Sequence, residues 1–364
     1  MTWPLLTVSQ VYDHVGGPNR ATNASFPANL KWLATKGITL TQYHGVTHPS
    51  QPNYVASISG DFFGMQNDDF NQIVGNVSTV IDLLEDKHIS WAAYQEDMPY
   101  SGFEGFAWVN QKTGANDYVR KHDPPVIFNA NSENLDRLAV IKNTTMFYKD
   151  LAANELPQWM FITPNMTSDG HDTDVTTAGA WTRNFLEPLL NNKHFMQNTL
   201  VLITFDETEQ YNIKNNVFSI LLGDAVPSHL VGTSDTNYYN HYSEIATVEA
   251  NWDLHTLGRF DVGANVFKVV ADKTGDHVRE WDGPEPFDQI FFNSSYAGPF
   301  NEYGGNQRYP GPNLDACSPS KRTVLPKIQE TWKHSTAPVY YTDKLATPDG
   351  QHPPAGYTPV DFLT

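Results

Sequence analysis

Residues 37–61 read GITLTQYHGVTHPSQPNYVASISGD. The opening GITLTQYHGV (37–46) is a strand-like run, and the segment after it sets Ser50 between Pro49 and Pro52, with His48 and Asn53 on either side. Taken alone, a serine among prolines marks a turn. The run is repeated along the chain, however. ISWAAYQE (89–96), QWMFITP (158–164), TLVLITFD (199–206) and NVFSILLG (216–223) have the same apolar, β-branched and aromatic character. VSTVIDLLEDK (77–87) and AGAWTRNFLEPLLNN (178–192) are helix candidates between them. Strands alternating with helices predict an α/β fold, a mostly parallel central sheet with helices on both faces. In such sheets ligands bind beyond the carboxyl ends of the strands.

The segments that follow those strands carry chemistry. HPSQPNY follows the first, NMTSDGHDTD (165–174) the third, and Asp206-Glu207 close the fourth, while the helix-like NHYSEIATVEANW (240–252) places His241 near its start. DGHDTD alone supplies Asp169, His171, Asp172 and Asp174. Each piece has an ordinary explanation: Asp-Gly as a turn, Asp-Glu as a helix cap, a lone histidine as a structural hydrogen-bonding group. What joins them is that a parallel sheet brings all of them to one edge beside Ser50. A hydroxyl that attacks phosphorus needs its proton removed and cations to offset charge on the transferring oxygens. Carboxylates and imidazoles suit the binding of divalent metal ions for that purpose.

The bulk properties bound the function. Of 364 residues, 40% are hydrophobic, 13% aromatic and 18% charged, the composition of a folded globular protein. Asp and Glu outnumber Lys and Arg by 41 to 23, for a net charge of −18, and no basic stripe is present to follow nucleic acid. No apolar run is long enough to span a bilayer, and MTWPLLTVSQ lacks the features of a secretory signal. Five N-glycosylation sequons, at Asn23, Asn76, Asn143, Asn165 and Asn293, nevertheless fit a secreted glycoprotein, extracellular or in the cell wall, whose N-terminus lies upstream of Met1. Cys317 is the single cysteine, so no internal disulfide forms. From residue 275 the pattern gives way to Pro, Gly, Asn and aromatics. Residues 1–274 are expected to form a catalytic core and 275–364 a loop-rich C-terminal extension packed on it, in one domain.

Six ordered stretches carry a family resemblance: THPSQPNYVASISGD (47–61), YQEDMPYSGFEGF (94–106), DYVRKHDPP (117–125), TPNMTSDGHDTDV (163–175), ITFDE (203–207) and NHYSEIATVEANWDLHTLGR (240–259). Together they closely resemble the fungal secreted acid phosphatases of the phosphoesterase family. That family includes phosphatidylcholine-type phospholipases C and resembles a branch of the alkaline phosphatase superfamily. The resemblance implies an alkaline-phosphatase-like fold and an acid phosphatase acting on small phosphorylated substrates with divalent metal assistance. Ser50 then matches the nucleophile and Asn53 a phosphate-contacting amide, with Pro52 at the first helical position so that the helix start faces the phosphoryl oxygens. Asp206 and Glu207 match the metal-binding acidic pair, and Asp169 and His241 complete the expected metal ligands. His171, Lys121, His122 and His48 are expected at the substrate. One departure stands out: family members carry Glu-Asn on the first strand shortly before a Tyr-Asp pair, whereas Tyr12-Asp13 here is preceded by Val8-Ser9 at that register. That departure motivates a catalytically impaired glycoprotein as one alternative to a working monoesterase, and a phosphodiesterase of phospholipase C type, built from the same nucleophile and metals with a wider cleft, is the other.

Overall fold

In the structure, a computed structural model, residues 5–9, 27–281, 294–301, 308–345 and 354 are described, the first group as backbone. The strands are β1 (Leu5–Ser9), β2 (Gly37–His44), β3 (Trp91–Gln95), β4 (Ala107–Val109), β5 (Asn116–Val119), β6 (Ile141–Asn143), β7 (Trp159–Thr163), β8 (Leu200–Thr204), β9 (Ser219–Leu222) and β10 (Thr233–Asn240). Eight of them form one sheet in the order β10-β2-β9-β8-β1-β7-β3-β6, and β4-β5 pair apart as a hairpin. The fold is α/β with a mixed sheet. Every residue of β3, β7 and β8 is buried, as expected of strands covered on both faces. The run 216–223 yields β9, which pairs antiparallel with both β2 and β8. The physical reason lies in the connection: no helix intervenes between β8 and β9, and a parallel return needs a crossover, usually helical.

The helix candidates form as Val80–Asp86 and Val175–Leu190. Strands β4, β5, β6 and β10 carry no comparable sequence signal; β10 reads TSDTNYYN, polar and half exposed.

Two helices frame the site. Ser50–Ser59 is buried along its whole length and ends at Gly60, whose positive φ of 76° lets its N–H reach Ala56 O. This helix starts two residues before Pro52, so Pro52 sits third rather than first. Any first-turn position tolerates a missing N–H, since those groups have no partner within the helix. The second helix, His241–Trp252, is capped by Asn240, whose side chain accepts from Tyr242 N at 3.0 Å, and is also wholly buried. Register brings the two starts together: His44, the last residue of β2, lies opposite Asn240, the last of β10. Ser9 at the end of β1 lies opposite Thr204, two residues before Asp206, so the Val8-Ser9 position borders the site. Tyr12 and Asp13 lie outside the described residues.

The C-terminal part packs behind the first helix. The buried Asp61 carboxylate accepts Tyr296 OH at 2.9 Å and Tyr341 OH at 2.6 Å, and the buried Arg259 guanidinium donates to Ser59 O at 3.0 Å and Ser78 O at 2.9 Å. Beyond residue 275 the described residues contain one helix, Pro326–Trp332, whose Ile328 and Trp332 join the core. Among the described residues no helix is long and apolar enough to cross a membrane. Cys317 is exposed.

Candidate active site

Ser50 Oγ donates to Glu207 Oε1 at 3.1 Å, and both residues are buried. The carboxylate reaches the hydroxyl because β8 delivers Phe205-Asp206-Glu207 to the same sheet edge as the loop after β2. Asp206 Oδ1 accepts the Glu207 N–H at 2.8 Å, which fixes the turn. Gly45 allows the close approach: a Cβ there would stand 2.5 Å from Asp206 O and 2.7 Å from Asn215 Nδ2. Asn215 ties the two segments together, donating to Thr47 O at 2.9 Å and accepting from Thr208 N at 2.8 Å. His48 Nε2 meets the Thr208 carbonyl at 2.8 Å and stands 3.8 Å from Glu207 Oε2, with the exposed Tyr211 ring 4.2 Å from its own.

Asn53 is placed differently from its sequence expectation. Its Oδ1 accepts Val46 N (2.9 Å) and Thr47 N (3.2 Å), and its Nδ2 donates to Thr47 O (2.9 Å) and Pro49 O (3.2 Å). All four hydrogen-bonding positions of the amide are used. In this conformation Asn53 shapes the loop that presents Ser50, leaving no capacity to meet a phosphate.

His241 stands on the far side of Asp206. Its Nε2 lies 2.7 Å from the Asp206 backbone carbonyl, and Nδ1 faces Glu244 Oε1 at 3.2 Å and Tyr43 OH at 3.1 Å. A carbonyl only accepts, so Nε2 carries a proton and offers no lone pair to a metal. Burial and the adjacent Glu244 raise the Tyr43 phenol well above its ordinary range, keeping it a donor to Glu244 Oε1 at 2.6 Å.

A second cluster lies along the same helix. His122 stacks on Tyr54 with centroids 5.0 Å apart, and its Nδ1 is 3.5 Å from Asp169 Oδ2. Burial, followed by the charges of Lys121 and His171, holds its imidazole well below the usual range. Asp169 Oδ1 accepts the His171 N–H at 2.7 Å, and His171 Nδ1 faces Asp172 Oδ1 at 2.9 Å. Lys121 Nζ bridges Asp68 Oδ2 (2.9 Å) and His171 Nε2 (3.3 Å). Thus Ser50, His48, Asp206, Glu207 and His241 gather at the helix start, while Lys121, His122, Asp169 and His171 form a neighbouring group linked to it through Asp68 and Tyr54. Among the described residues no group of three or more His, Cys, Asp or Glu is arranged to hold a metal ion. Asp206 and Glu207 remain two buried oxygen-donor side chains beside Ser50, a donor type suited to a hard divalent cation. Asp68, Tyr43, Glu244, Asn215 and Gly45 are additions that the sequence did not reveal; Asp68, in the polar run QNDDFNQ (66–72), carries no signal beyond that of a turn.

Of the sequons, Asn76 is exposed, whereas Asn143 and Asn165 donate the nitrogen that would bear a glycan to Met98 O and Asp97 Oδ2, both at 2.6 Å. Asn23 and Asn293 lie outside the described residues.

Asp123, next to His122, makes stability depend on pH. Its buried carboxyl accepts Gln95 Nε2 (3.3 Å) and Tyr118 OH (3.0 Å), and burial pushes its pKa from 3.8 up to about 7. Between those values the folded chain holds a proton that the unfolded chain has lost, so this contribution to stability is lost as pH rises from 3.8 to about 7. Burial raises Asp61, Glu96, Glu249 and Asp261 in the same direction. His44, depressed by burial to about 3, acts oppositely, losing stability as pH falls below its ordinary 6.5. In thermal melts Asp123→Asn is expected to gain a few degrees at neutral relative to acid pH, compared with the unsubstituted protein. An unchanged pH profile would contradict the assignment.

Residues 23–255 match the phosphoesterase family, and the chain belongs to it. It is 49% identical over 323 residues to the probable acid phosphatase of Kluyveromyces lactis, covering 88% of this chain and 75% of that protein. It is likewise 49% identical to the acid phosphatase of Aspergillus fumigatus, covering 87% of this chain and 71% of that one. Among solved structures, the phosphonate monoester hydrolase of Agrobacterium radiobacter aligns at 10% identity and TM-score 0.45, over 77% of this chain and 78% of that one.

Proposed function

We propose that the protein is an acid phosphatase that hydrolyses phosphate monoesters through a phosphoseryl intermediate at Ser50, on a fold of the alkaline phosphatase kind. The observation that carries this reading is the 3.1 Å hydrogen bond from Ser50 Oγ to Glu207 at the start of a buried helix, in a chain so similar to fungal acid phosphatases. Ser50 Oγ gives its proton to Glu207 as the Oγ–P bond forms and the bond from phosphorus to the leaving oxygen breaks. The departing alkoxide takes a proton from the medium, which acid solution supplies, and water then hydrolyses the seryl phosphate to free phosphate and serine. In the first turn of the Ser50–Ser59 helix Pro52 has no N–H and that of Gln51 donates to Asp68, so an anion reaches this helix start in competition with that carboxylate. A divalent cation, held by Asp206 and Glu207, would supply positive charge opposite the transferring oxygens. His48 and His241 position the Asp206-Glu207-Thr208 turn through its backbone carbonyls. Secretion, with a glycan at Asn76, belongs to the same reading.

The direct test is hydrolysis of p-nitrophenyl phosphate in acid against bis(p-nitrophenyl) phosphate; faster turnover of the diester would favour the phospholipase C type of activity instead. Dialysis against a chelator is expected to lower kcat by about 10²-fold or more, with recovery on adding a divalent metal. Full activity after chelation would remove the cation from the account. A second reading, a catalytically impaired glycoprotein, is favoured by the Val8-Ser9 position, whose backbone borders the site without a carboxylate. A metal-free purified chain without hydrolysis in acid would establish it.

A further inference from the structure

Lys121, an expected contact to the substrate phosphate, is engaged by a side chain of the protein itself. Its Nζ donates to Asp68 Oδ2 at 2.9 Å, and the other oxygen of that carboxylate accepts the Gln51 backbone N–H, also at 2.9 Å. Gln51 follows Ser50 in the first turn of the helix. An ammonium and a first-turn N–H beside the nucleophile are the donors a phosphoryl group would recruit, and one carboxylate bridges both. The loop is held there by a further bond, Gln51 Nε2 to Asp69 O at 3.2 Å.

We infer that Asp68 sets the affinity of the site for phosphate by competing with the substrate's phosphoryl group for Lys121 and the Gln51 N–H; this rests on the phosphatase reading above. To dock, an anion must displace the carboxylate, and the apparent affinity falls by the fraction of molecules in which it has already swung away. A phosphomonoester, approaching two negative charges near neutrality, wins Lys121 more readily than a diester with one. Among the described residues the charged neighbours of Asp68 are Lys121, with His171 on the far side of that ammonium, and Asp69 next in sequence.

The test compares Asp68→Asn and Asp68→Ala with the unsubstituted protein. The Asn variant keeps an oxygen for the Gln51 N–H, which preserves the loop, but removes the charge that holds Lys121. KM for p-nitrophenyl phosphate and the inhibition constant of inorganic phosphate are expected to fall about threefold to tenfold, most in the Ala variant. The preference for monoester over diester is expected to stay unchanged, since the same open fraction gates both. A KM that rises or stays unchanged in folded variants overturns the inference, making Asp68 a support for Lys121 or a bystander. Calorimetric titration with inorganic phosphate reads the same competition without catalysis. If the unsubstituted protein cleaves no monoester, the phosphatase reading fails, while tighter phosphate binding by the variants would still uphold the competition.

Discussion

Ser50→Ala is expected to lower kcat on p-nitrophenyl phosphate by about 10³-fold or more while the protein stays folded. The substitution removes the one atom that forms the covalent bond to phosphorus. What remains, the helix start and the cation that Asp206 and Glu207 would hold, can bind an anion but offers no nucleophile except water. Folding survives because alanine suits a helix start and the lost contact is a single hydrogen bond to Glu207, worth about 1 to 3 kcal/mol when its carboxylate is left with one donor fewer. The measurement pairs steady-state kinetics with a thermal melt. Activity within about tenfold of the original, in a protein that melts normally, would take Ser50 out of the chemistry.

Glu207→Gln is expected to reduce kcat by about 10²- to 10⁴-fold with a much smaller change in KM. The side chains match in size, and an amide oxygen still accepts the Ser50 hydroxyl, so the geometry is kept while the proton acceptor and one charged donor to the proposed cation are lost. Its charge also faces His48 Nε2 at 3.8 Å, so a modest loss of order in the 47–50 loop accompanies the kinetic effect. Stopped-flow measurement of the first turnover separates the chemical step from phosphate release. A first turnover as fast as that of the unsubstituted enzyme would mean that the Ser50 proton leaves by another route.

How far the sequence revealed this site follows from the range of the interactions involved. Apolar runs such as LVLIT in β8 need both faces covered and so announce themselves as strands, whereas β10, polar and partly exposed, is held by its pairing with β2 and has no such signature. Ser50, Asp206 and Glu207 stood out because each ends a strong strand or follows one, and the sheet edge makes them neighbours. His241 was also placed near the site, yet its orientation depends on a backbone carbonyl 35 residues away, which no local pattern encodes. Asn53 illustrates the same limit: a side chain beside the nucleophile is turned into its own loop by four hydrogen bonds. The direction of β9 depends on the absence of a crossover helix rather than on its own residues. Asp68 was invisible, since only the fold brings a loop aspartate to both Lys121 and the helix start.

The most direct measurement is an acid quench of the enzyme during turnover of a phosphomonoester, followed by mass spectrometry of the peptide that contains Ser50. A phosphoryl group on Ser50, chased off by water and missing from the Ser50→Ala protein, is the predicted result. Multiple turnovers with rapid quenching and no phosphate on that serine would contradict it.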